Sequence, residues 1–178
     1  MHLAAELDAQ RLAGDRIQVS PIALSDRSGT ATLRVPRHRR GGFSNQGASL
    51  SDVKVADDFM GVEIEAKRLD DLGLSDTGFI KIDVEGHEFQ ALAGLGSLRQ
   101  LGVRYVVAEF FPSLIRANGR RPGEILELLA REGFSVVASR FRGRNMAPVP
   151  PALFADFTAE TSASNQHADI FCHRDGSR

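Results

Sequence analysis

The stretch that decides the fold is residues 79–88, with the sequence FIKIDVEGHE. Its first part is rich in β-branched side chains, which predicts a strand. From Glu88 to about Leu98, apolar side chains recur on one side of a predicted helix. A nearly continuous apolar run follows at residues 103–111, which is typical of a strand buried on both faces of a parallel sheet. The centre of the chain therefore predicts a strand–helix–strand unit.

Elements on both sides of this unit continue the alternation of strands and helices. Upstream, the sequence predicts a short helix, a strand, its hairpin partner and a charged strand, at residues 3–12, 17–24, 30–35 and 62–69. Downstream, it predicts a helix opened by a proline, a strand and a last strand, at residues 122–133, 134–138 and 167–172. Residues 36–51 and 142–166 are predicted loops. This order predicts an α/β fold with a mostly parallel sheet, right-handed crossovers and an antiparallel last strand.

Composition and charge are those of an ordinary globular chain. Its 178 residues suit one domain. The net charge of −1 argues against nucleic acid or an anionic membrane as a partner. No apolar stretch reaches the roughly 20 residues that a membrane span needs. The single cysteine, Cys172, lies in an apolar strand and is expected in the core. The first residues do not resemble a signal peptide, so cytoplasm is the default expectation.

Candidate functional residues follow the strands, because open α/β sheets bind ligands beyond the carboxyl ends of their strands. Asp83 and Glu85 are two residues apart at the end of the central strand, so both are expected on one side. His87 adds a group that titrates near neutral pH. Such a set suits a general base, a cation site or the recognition of a ligand amine. An acid inside a buried strand is hard to explain structurally, so Asp83 is expected to be functional.

Structural explanations compete with some of these assignments. Glu85 and Glu88 would also favour the positive N-terminus of the helix that follows them. Ser25-Asp26 and Glu109 end two other strands and are expected at the same sheet edge, although an arginine partner would explain Glu109 equally well. The basic run 37–40 suits an anionic substrate, but a solvated loop is the better interpretation of one short charge cluster.

These residues closely resemble the hallmark of FkbM-type methyltransferases. The family has an Ile-Lys-Ile-Asp-Val-Glu-Gly strand, then an acidic residue and a Leu-x-Gly in the helix, which matches residues 79–88 and 92–94. Segments 23–29, 69–72 and 107–109 resemble other family segments, in the same order. The similarity extends over about residues 3–140, and the ordered matches argue against coincidence.

The resemblance implies a class I, Rossmann-like fold that uses S-adenosylmethionine, usually to O-methylate sugars or natural products. Carried over by position, Ala23 and Leu24 would lie beside the adenine. Asp83 and Glu85 would lie at the methyl-transfer cleft, with Asp83 nearer to the methionine end or the substrate hydroxyl. Glu85 and His87 are the candidates for the catalytic base, since positioning and partial proton removal supply most of the help to this displacement. The acidic pair and His87 make a thin ligand set, so no metal is assigned.

One part of the family pattern has no counterpart in the sequence. The family begins with a strand, a glycine-rich loop and a helix, then a second strand that ends in an acid, whereas residues 3–12 match the helix after that second strand. We therefore expect a truncated single domain over residues 1–178, lacking about 60–90 residues, the size of two βα units. Such a chain would expose a sheet edge and bind its cofactor poorly.

Two other functions stay open at this point. A non-catalytic remnant would bind a partner, or form a homodimer, through the uncovered sheet edge. A different cofactor-dependent α/β enzyme, such as a protein that modifies nucleotide sugars, would place its ligand beside the same strand ends. The hallmark favours the methyltransferase, but nothing in the sequence names the methyl acceptor.

Overall fold

The computed structural model describes residues 18–37, 48–50, 59–164 and 167–175. In this part of the chain the strands form a three-stranded sheet of order β1-β3-β2 and a five-stranded sheet of order β4-β5-β8-β6-β7. The strands are β1 Ile22–Leu24, β2 Gly29–Pro36, β3 Phe59–Lys67, β4 Phe79–Ile82, β5 Tyr105–Phe110, β6 Ser135–Phe141, β7 Arg144–Pro148 and β8 Ala168–His173. The α-helices of the described residues are α1 Glu88–Ala93, α2 Pro112–Ala117, α3 Gly123–Arg131 and α4 Phe154–Ala163.

The predicted strand–helix–strand unit is present as β4, α1 and β5. The two strands run parallel, in a register that pairs Phe79 with Tyr105 and Ile82 with Ala108. Helix α1 is shorter than predicted, because it ends at Ala93 and Gly94 is its C-cap. The chain then turns through Gly96, whose φ of 61° lies in the left-handed region that favours glycine. The local pattern therefore predicted the element types correctly and the helix length incorrectly.

The hydrophobic core lies in the part of the chain that carries the five-stranded sheet. Helix α3 buries Ile125, Leu126 and Leu129, whose spacing places them on one helix face. Phe157 of α4 is fully buried, with its ring centroid 5.0 Å from that of Phe110 and 5.5 Å from that of Phe141. Contacts of this kind stabilise a core through area burial and ring geometry together.

Cys172 confirms the prediction that the cysteine belongs to the core. Its side chain on β8 is 3% exposed, and burial raises the pKa of the thiol to about 12. A thiol with such a pKa stays protonated at neutral pH and is a poor nucleophile.

Strand β5 is buried on one face, and the prediction of burial on both faces is wrong. Val106, Ala108 and Phe110 are buried, whereas the alternate residues are partly or largely exposed. Tyr105 begins this second face and is 52% exposed, beside the exposed Phe79 of β4. The residue sequence hides this asymmetry because both faces of the strand carry apolar side chains.

The prediction of a mostly parallel sheet is also wrong, since only β1–β3 and β4–β5 are parallel among the described strand pairs. The antiparallel last strand is confirmed, because β8 runs antiparallel to both β5 and β6. The predicted hairpin of β1 and β2 is not formed, because β3 lies between them and pairs with each. Strand β6 turns directly into the antiparallel β7 through Arg142 and Gly143, whose φ values of 51° and 69° match a tight hairpin turn.

The prediction of a loop over residues 142–166 is wrong as well. This segment contains β7, a 3-10 helix at Pro151–Leu153 and the ten-residue helix α4. Helix α4 buries Phe154, Phe157 and Thr161, which lie three and four residues apart and form one face. The prolines before the helix dominated the sequence pattern and obscured this spacing.

Some predictions fall outside the described residues. They are the helix at residues 3–12 and most of the predicted loop 36–51, including the basic residues 38–40. At the described end of that loop, Ser49 forms an isolated antiparallel bridge with Arg34 of β2. The helices of the described residues, of which Phe154–Ala163 is among the longest with 10 residues, include none that would span a membrane.

Candidate active site

A cleft of about 520 Å³ lies between the three-stranded sheet and the segment that follows β4. The residues predicted from the sequence, Ala23, Leu24, Asp83, Glu85 and His87, all line this cleft. Its volume lies within the range typical of small-molecule sites. The fold therefore brings the predicted residues together, and their individual roles remain predictions.

The apolar part of the lining was not predicted from the sequence, apart from Ala23 and Leu24. Leu33 of β2 and Ile64 of β3 belong to it, together with Ala48 and Leu50 from the connection between these strands. Alternation in β2 and β3 indicated this apolar surface in the sequence, because every second residue is apolar and these residues share one face of each strand. The cleft thus combines an apolar surface with two carboxylates and one imidazole.

The turn after β4 has an unusual backbone conformation. Glu85 and Gly86 have φ values of 54° and 93°, so two consecutive residues are left-handed. Such a conformation is costly for Glu85 and is typical of functional sites. Gly86 is required sterically, because an added Cβ would lie 2.7 Å from Cβ of Leu114 and 2.8 Å from Nδ2 of Asn118.

Hydrogen bonds from distant segments hold this turn. Nδ2 of Asn118 donates to the carbonyl oxygen of Gly86 at 2.7 Å, and the hydroxyl of Ser49 donates to the carbonyl oxygen of Glu85 at 3.2 Å. Helix α2 and the connection between β2 and β3 therefore both fix the turn. The position of the Glu85 and His87 side chains follows from this fixed backbone.

Asp83 lies at the cleft but is not buried, so the expectation of an acid inside a buried strand is wrong. Strand β4 ends at Ile82, and the Asp83 side chain is 51% exposed. Oδ2 of Asp83 accepts a hydrogen bond from Nζ of Lys81 at 3.0 Å. Exposed ion pairs of this kind contribute little to stability. The carboxylate remains open to a ligand in the cleft.

His87 is half-buried and meets the end of β1. Its Nε2 atom lies 3.2 Å from the hydroxyl oxygen of Ser25. Burial lowers the pKa of His87, while the negative charge of Asp26 opposes this shift and the positive charge of Arg27 adds to it. The imidazole is therefore mainly neutral at neutral pH, which is the state that accepts a proton.

Glu88 is a polar residue of this region that the sequence did not single out for chemistry. Its side chain is fully buried, and its Oε1 accepts a hydrogen bond from the backbone N–H of Gly86 at 3.0 Å. Within the described residues, its Oε2 has no hydrogen-bond partner. Burial raises the pKa of Glu88, partly offset by hydrogen bonds from backbone N–H groups. The predicted role at the helix N-terminus is thus only part of its environment.

Glu109 does not join the other strand-end residues at the cleft. Its Oε1 lies 3.6 Å from Nε2 of His167, and it is absent from the described lining of the cleft. The expected convergence therefore holds for the ends of β1 and β4 and fails for the end of β5. The antiparallel β8 beside β5 accounts for this, because it pairs Asp169 with Glu109, and His167 directly precedes β8.

With this geometry in place, comparison with known proteins identifies the class. Residues 3–136 match the family model of the methyltransferase FkbM domain. This match covers most of the chain, so the protein belongs to the methyltransferase FkbM family. The mixed sheets differ from the mostly parallel sheet that the order of strands and helices predicted.

The chain is also similar to an individual curated protein. The chain is 31% identical over 104 residues to a 31-O-demethyl-FK506 methyltransferase FkbM from Streptomyces tacrolimicus. The matched part covers 56% of this chain and 38% of that protein, so the chain matches well under half the length of this relative. No solved structure matches the chain.

Proposed function

We propose that the protein is an S-adenosylmethionine-dependent methyltransferase that methylates a hydroxyl group of a sugar or another natural product. The observation that supports it best is the meeting of the hallmark residues Asp83, Glu85 and His87 with Ala23 and Leu24 in one cleft. These residues come from segments more than fifty positions apart in the chain. Family membership supports the reaction class, and the named relative supports a hydroxyl acceptor.

The chemistry of the cleft fits the proposed cofactor. An apolar surface at Ala23 and Leu24 suits the flat adenine ring, while the carboxylates of Asp83 and Glu85 suit a ligand that carries positive charge. S-adenosylmethionine, when bound, supplies an electrophilic methyl group on a sulfonium centre. No glycine-rich strand–loop–helix unit is present in the described residues, so only part of the cofactor environment is assigned to this chain.

The acceptor would be bound and deprotonated by three residues with separate roles, Asp83, Glu85 and His87. Asp83 is exposed within the cleft and would orient the acceptor hydroxyl or the amino end of the cofactor. His87 would take the hydroxyl proton, because burial keeps it neutral and ready to accept one. Glu85, held in its left-handed conformation, would add negative charge beside His87 as the imidazole becomes an imidazolium. Positioning of the two reactants supplies the remainder of the rate enhancement.

Binding calorimetry with S-adenosylhomocysteine tests the cofactor assignment on the full chain. We expect measurable binding that Asp83→Asn weakens about tenfold or more, because the variant removes one charge from the cleft. Asp169→Asn is the matched control, since Asp169 is exposed on β8 outside the cleft. A chain that binds neither S-adenosylhomocysteine nor S-adenosylmethionine contradicts the proposal and favours a non-catalytic binding module.

Transfer of a labelled methyl group tests the reaction. We expect incorporation into a hydroxyl-bearing acceptor and at least a roughly hundredfold loss of kcat in His87→Gln. Incorporation that is unaffected by both His87→Gln and Asp83→Asn would remove these residues from the site. A cytoplasmic location and a homodimer also remain predictions, which fractionation and sedimentation would check.

A further inference from the structure

A chain of hydrogen bonds runs from the end of β1 to the candidate base. The Ser25 hydroxyl donates to Oδ1 of Asp26 at 3.3 Å. The hydroxyl oxygen of Ser25 also lies 3.2 Å from Nε2 of His87. Ser25 is buried, and the Asp26 side chain is 32% exposed. Neither residue has a role in the function proposed above.

The backbone of Ser25 is fixed by two independent segments. Its N–H donates to the carbonyl oxygen of Lys67 on β3 at 2.9 Å. On the other side, Gly94 after α1 approaches so closely that an added Cβ would overlap the carbonyl oxygen of Ser25. The backbone of Ser25 is therefore held beside the end of α1, and His87 immediately precedes that helix.

The Asp26 carboxylate is also anchored. Its Oδ2 accepts a hydrogen bond from Nη2 of Arg120 at 3.4 Å, and the guanidinium of Arg120 lies 4.7 Å from the centroid of the Phe89 ring. Nη1 of Arg68 donates to the backbone carbonyl of Asp26 at 3.2 Å. These contacts leave Oδ1 directed to Ser25 as the acceptor of its hydroxyl proton.

The proton inventory of these groups links the tautomer of His87 to the direction in which the Ser25 hydroxyl donates. Ser25 has one proton, and a carboxylate has none to donate. When Ser25 donates to Asp26, its oxygen accepts the second hydrogen bond, so Nε2 of His87 must carry the proton that is donated. Nδ1 then has a free lone pair, and no hydrogen bond within the described residues engages it.

We propose that Ser25 and Asp26 are positioning residues that hold neutral His87 with its proton on Nε2, so that Nδ1 accepts the proton of the methyl acceptor. This inference rests on the proposed function. The acceptor oxygen would take the methyl group that S-adenosylmethionine supplies, so that an oxygen–methyl bond forms while the sulfur–methyl bond breaks and S-adenosylhomocysteine leaves. In the same step the O–H bond of the acceptor would break and an N–H bond would form at Nδ1. The imidazole becomes an imidazolium, and the Asp26 carboxylate stabilises its positive charge through Ser25. The imidazolium then releases the proton to water.

The charged groups around His87 come from two segments. Asp26 and Arg27 follow β1, and Asp83 and Glu85 follow β4 and share the cleft with His87. Asp26 is the group joined to the imidazole by hydrogen bonds through a single residue. Neutralising Asp26 therefore tests the hydrogen-bonded connection from Asp26 through Ser25 to His87 without changing the carboxylates of the cleft.

Nitrogen-15 NMR of the imidazole on the full chain tests the tautomer without any cofactor. We expect the His87 signals, assigned by their loss in His87→Gln, to show a protonated Nε2 and an unprotonated Nδ1 at neutral pH. Ser25→Ala should convert this pattern to a mixture of both tautomers, whereas Ser97→Ala, which alters a serine that contacts Glu132, should not. A protonated Nδ1 in the unaltered chain, or no response to Ser25→Ala, would overturn the proposal.

Asp26→Asn tests the charge. The variant keeps an oxygen that accepts from Ser25 but removes the negative charge that raises the pKa of His87, so the NMR titration midpoint should fall. Asp156→Asn is the matched control, because Asp156 also accepts from an arginine Nη2 but is exposed and outside the cleft. An unchanged titration midpoint of His87 in Asp26→Asn contradicts the proposed connection from Asp26 through Ser25 to His87.

Turnover separates this inference from the proposed function. We expect Ser25→Ala to lower kcat roughly tenfold with little change in the KM for the cofactor, and the pH profile of kcat to shift in Asp26→Asn. A chain that has the expected tautomer but transfers no methyl group contradicts the proposed function and leaves the tautomer assignment standing. Full turnover in Ser25→Ala overturns the positioning role.

Discussion

The two sheets differ in how they are stabilised. In the five-stranded sheet, β5 buries every second residue beneath helices, and its core includes Phe110 and Phe157. In the three-stranded sheet, β3 is exposed from Phe59 through Glu63, and Ala66 is the buried residue of that strand. The larger sheet supplies most of the stability, whereas the smaller sheet supplies the apolar lining of the cleft. Fold and site therefore depend on different parts of the molecule.

The largest effect is expected in the core of the five-stranded sheet. Phe157→Ala removes a fully buried ring that contacts Phe110 and Phe141, which should cost about 3–5 kcal/mol in the free energy of unfolding. Urea denaturation followed by circular dichroism measures it. Met146→Ala, at an exposed position of the same sheet, is the control. A cost below about 1 kcal/mol for Phe157→Ala would mean that stability is not concentrated there.

The next effect is expected where the two sheets meet. In Gly94→Ala the new methyl group would overlap the carbonyl oxygen of Ser25, so the helix and β1 must separate. Overpacking of this kind costs about 1–3 kcal/mol, and it should also weaken ligand binding in the cleft. Gly123→Ala is the matched control, because its added Cβ meets only Oε1 of Glu127 at 3.6 Å. Equal stability of the two variants would show that the contact is not close in solution.

A smaller, pH-dependent effect is expected at Glu88. Its pKa is raised above the ordinary value of 4.5, so the folded state favours the protonated form and the chain loses stability as pH rises through the folded pKa. Glu88→Gln cannot ionise and should become more stable relative to the unaltered chain as pH rises from 4 to 8. Urea denaturation across that range measures the difference. Glu63→Gln, exposed on β3, is the control variant, and a flat difference for Glu88→Gln contradicts the assignment.

The smallest effect is expected in β3. Val62 is 38% exposed, so Val62→Ala should change the free energy of unfolding by about 0.5 kcal/mol or less. The same urea denaturation serves as the measurement. A loss above about 2 kcal/mol would indicate that the three-stranded sheet contributes to the core as strongly as the five-stranded sheet.

Local patterns predicted the elements better than their partners. The β4–α1–β5 unit followed from β-branched residues and helical spacing, which act over a few positions. The hairpin of β1 and β2 was wrong because β3, the true partner of both, enters some thirty-five positions after β1. The antiparallel direction of β7 depended on the tight turn at Arg142-Gly143, whose left-handed residues left only a weak signal in the sequence.

The candidate site shows the same division. Strand-end position selected Asp83 and Glu85, which line the cleft, but it also selected Glu109, which does not. The pairing of Ser25 with His87 and the burial of Glu88 depend on contacts between distant segments, which one sequence does not display. Gly94 was visible as part of the family hallmark, and its close approach to Ser25 now supplies the physical reason for a glycine there.

The buried thiol of Cys172 provides a natural reporter of how the molecule opens. It lies in β8, between β5 and β6, and the chain has one cysteine, so any thiol-labelling signal comes from a single known place. Reagents of the Ellman type will react only when the middle of the five-stranded sheet becomes accessible to solvent. The labelling rate therefore follows the opening of this sheet and does not depend on fluctuations confined to the three-stranded sheet. Because Cys172 is part of the sequence, no labelling site has to be introduced to follow the opening of the five-stranded sheet.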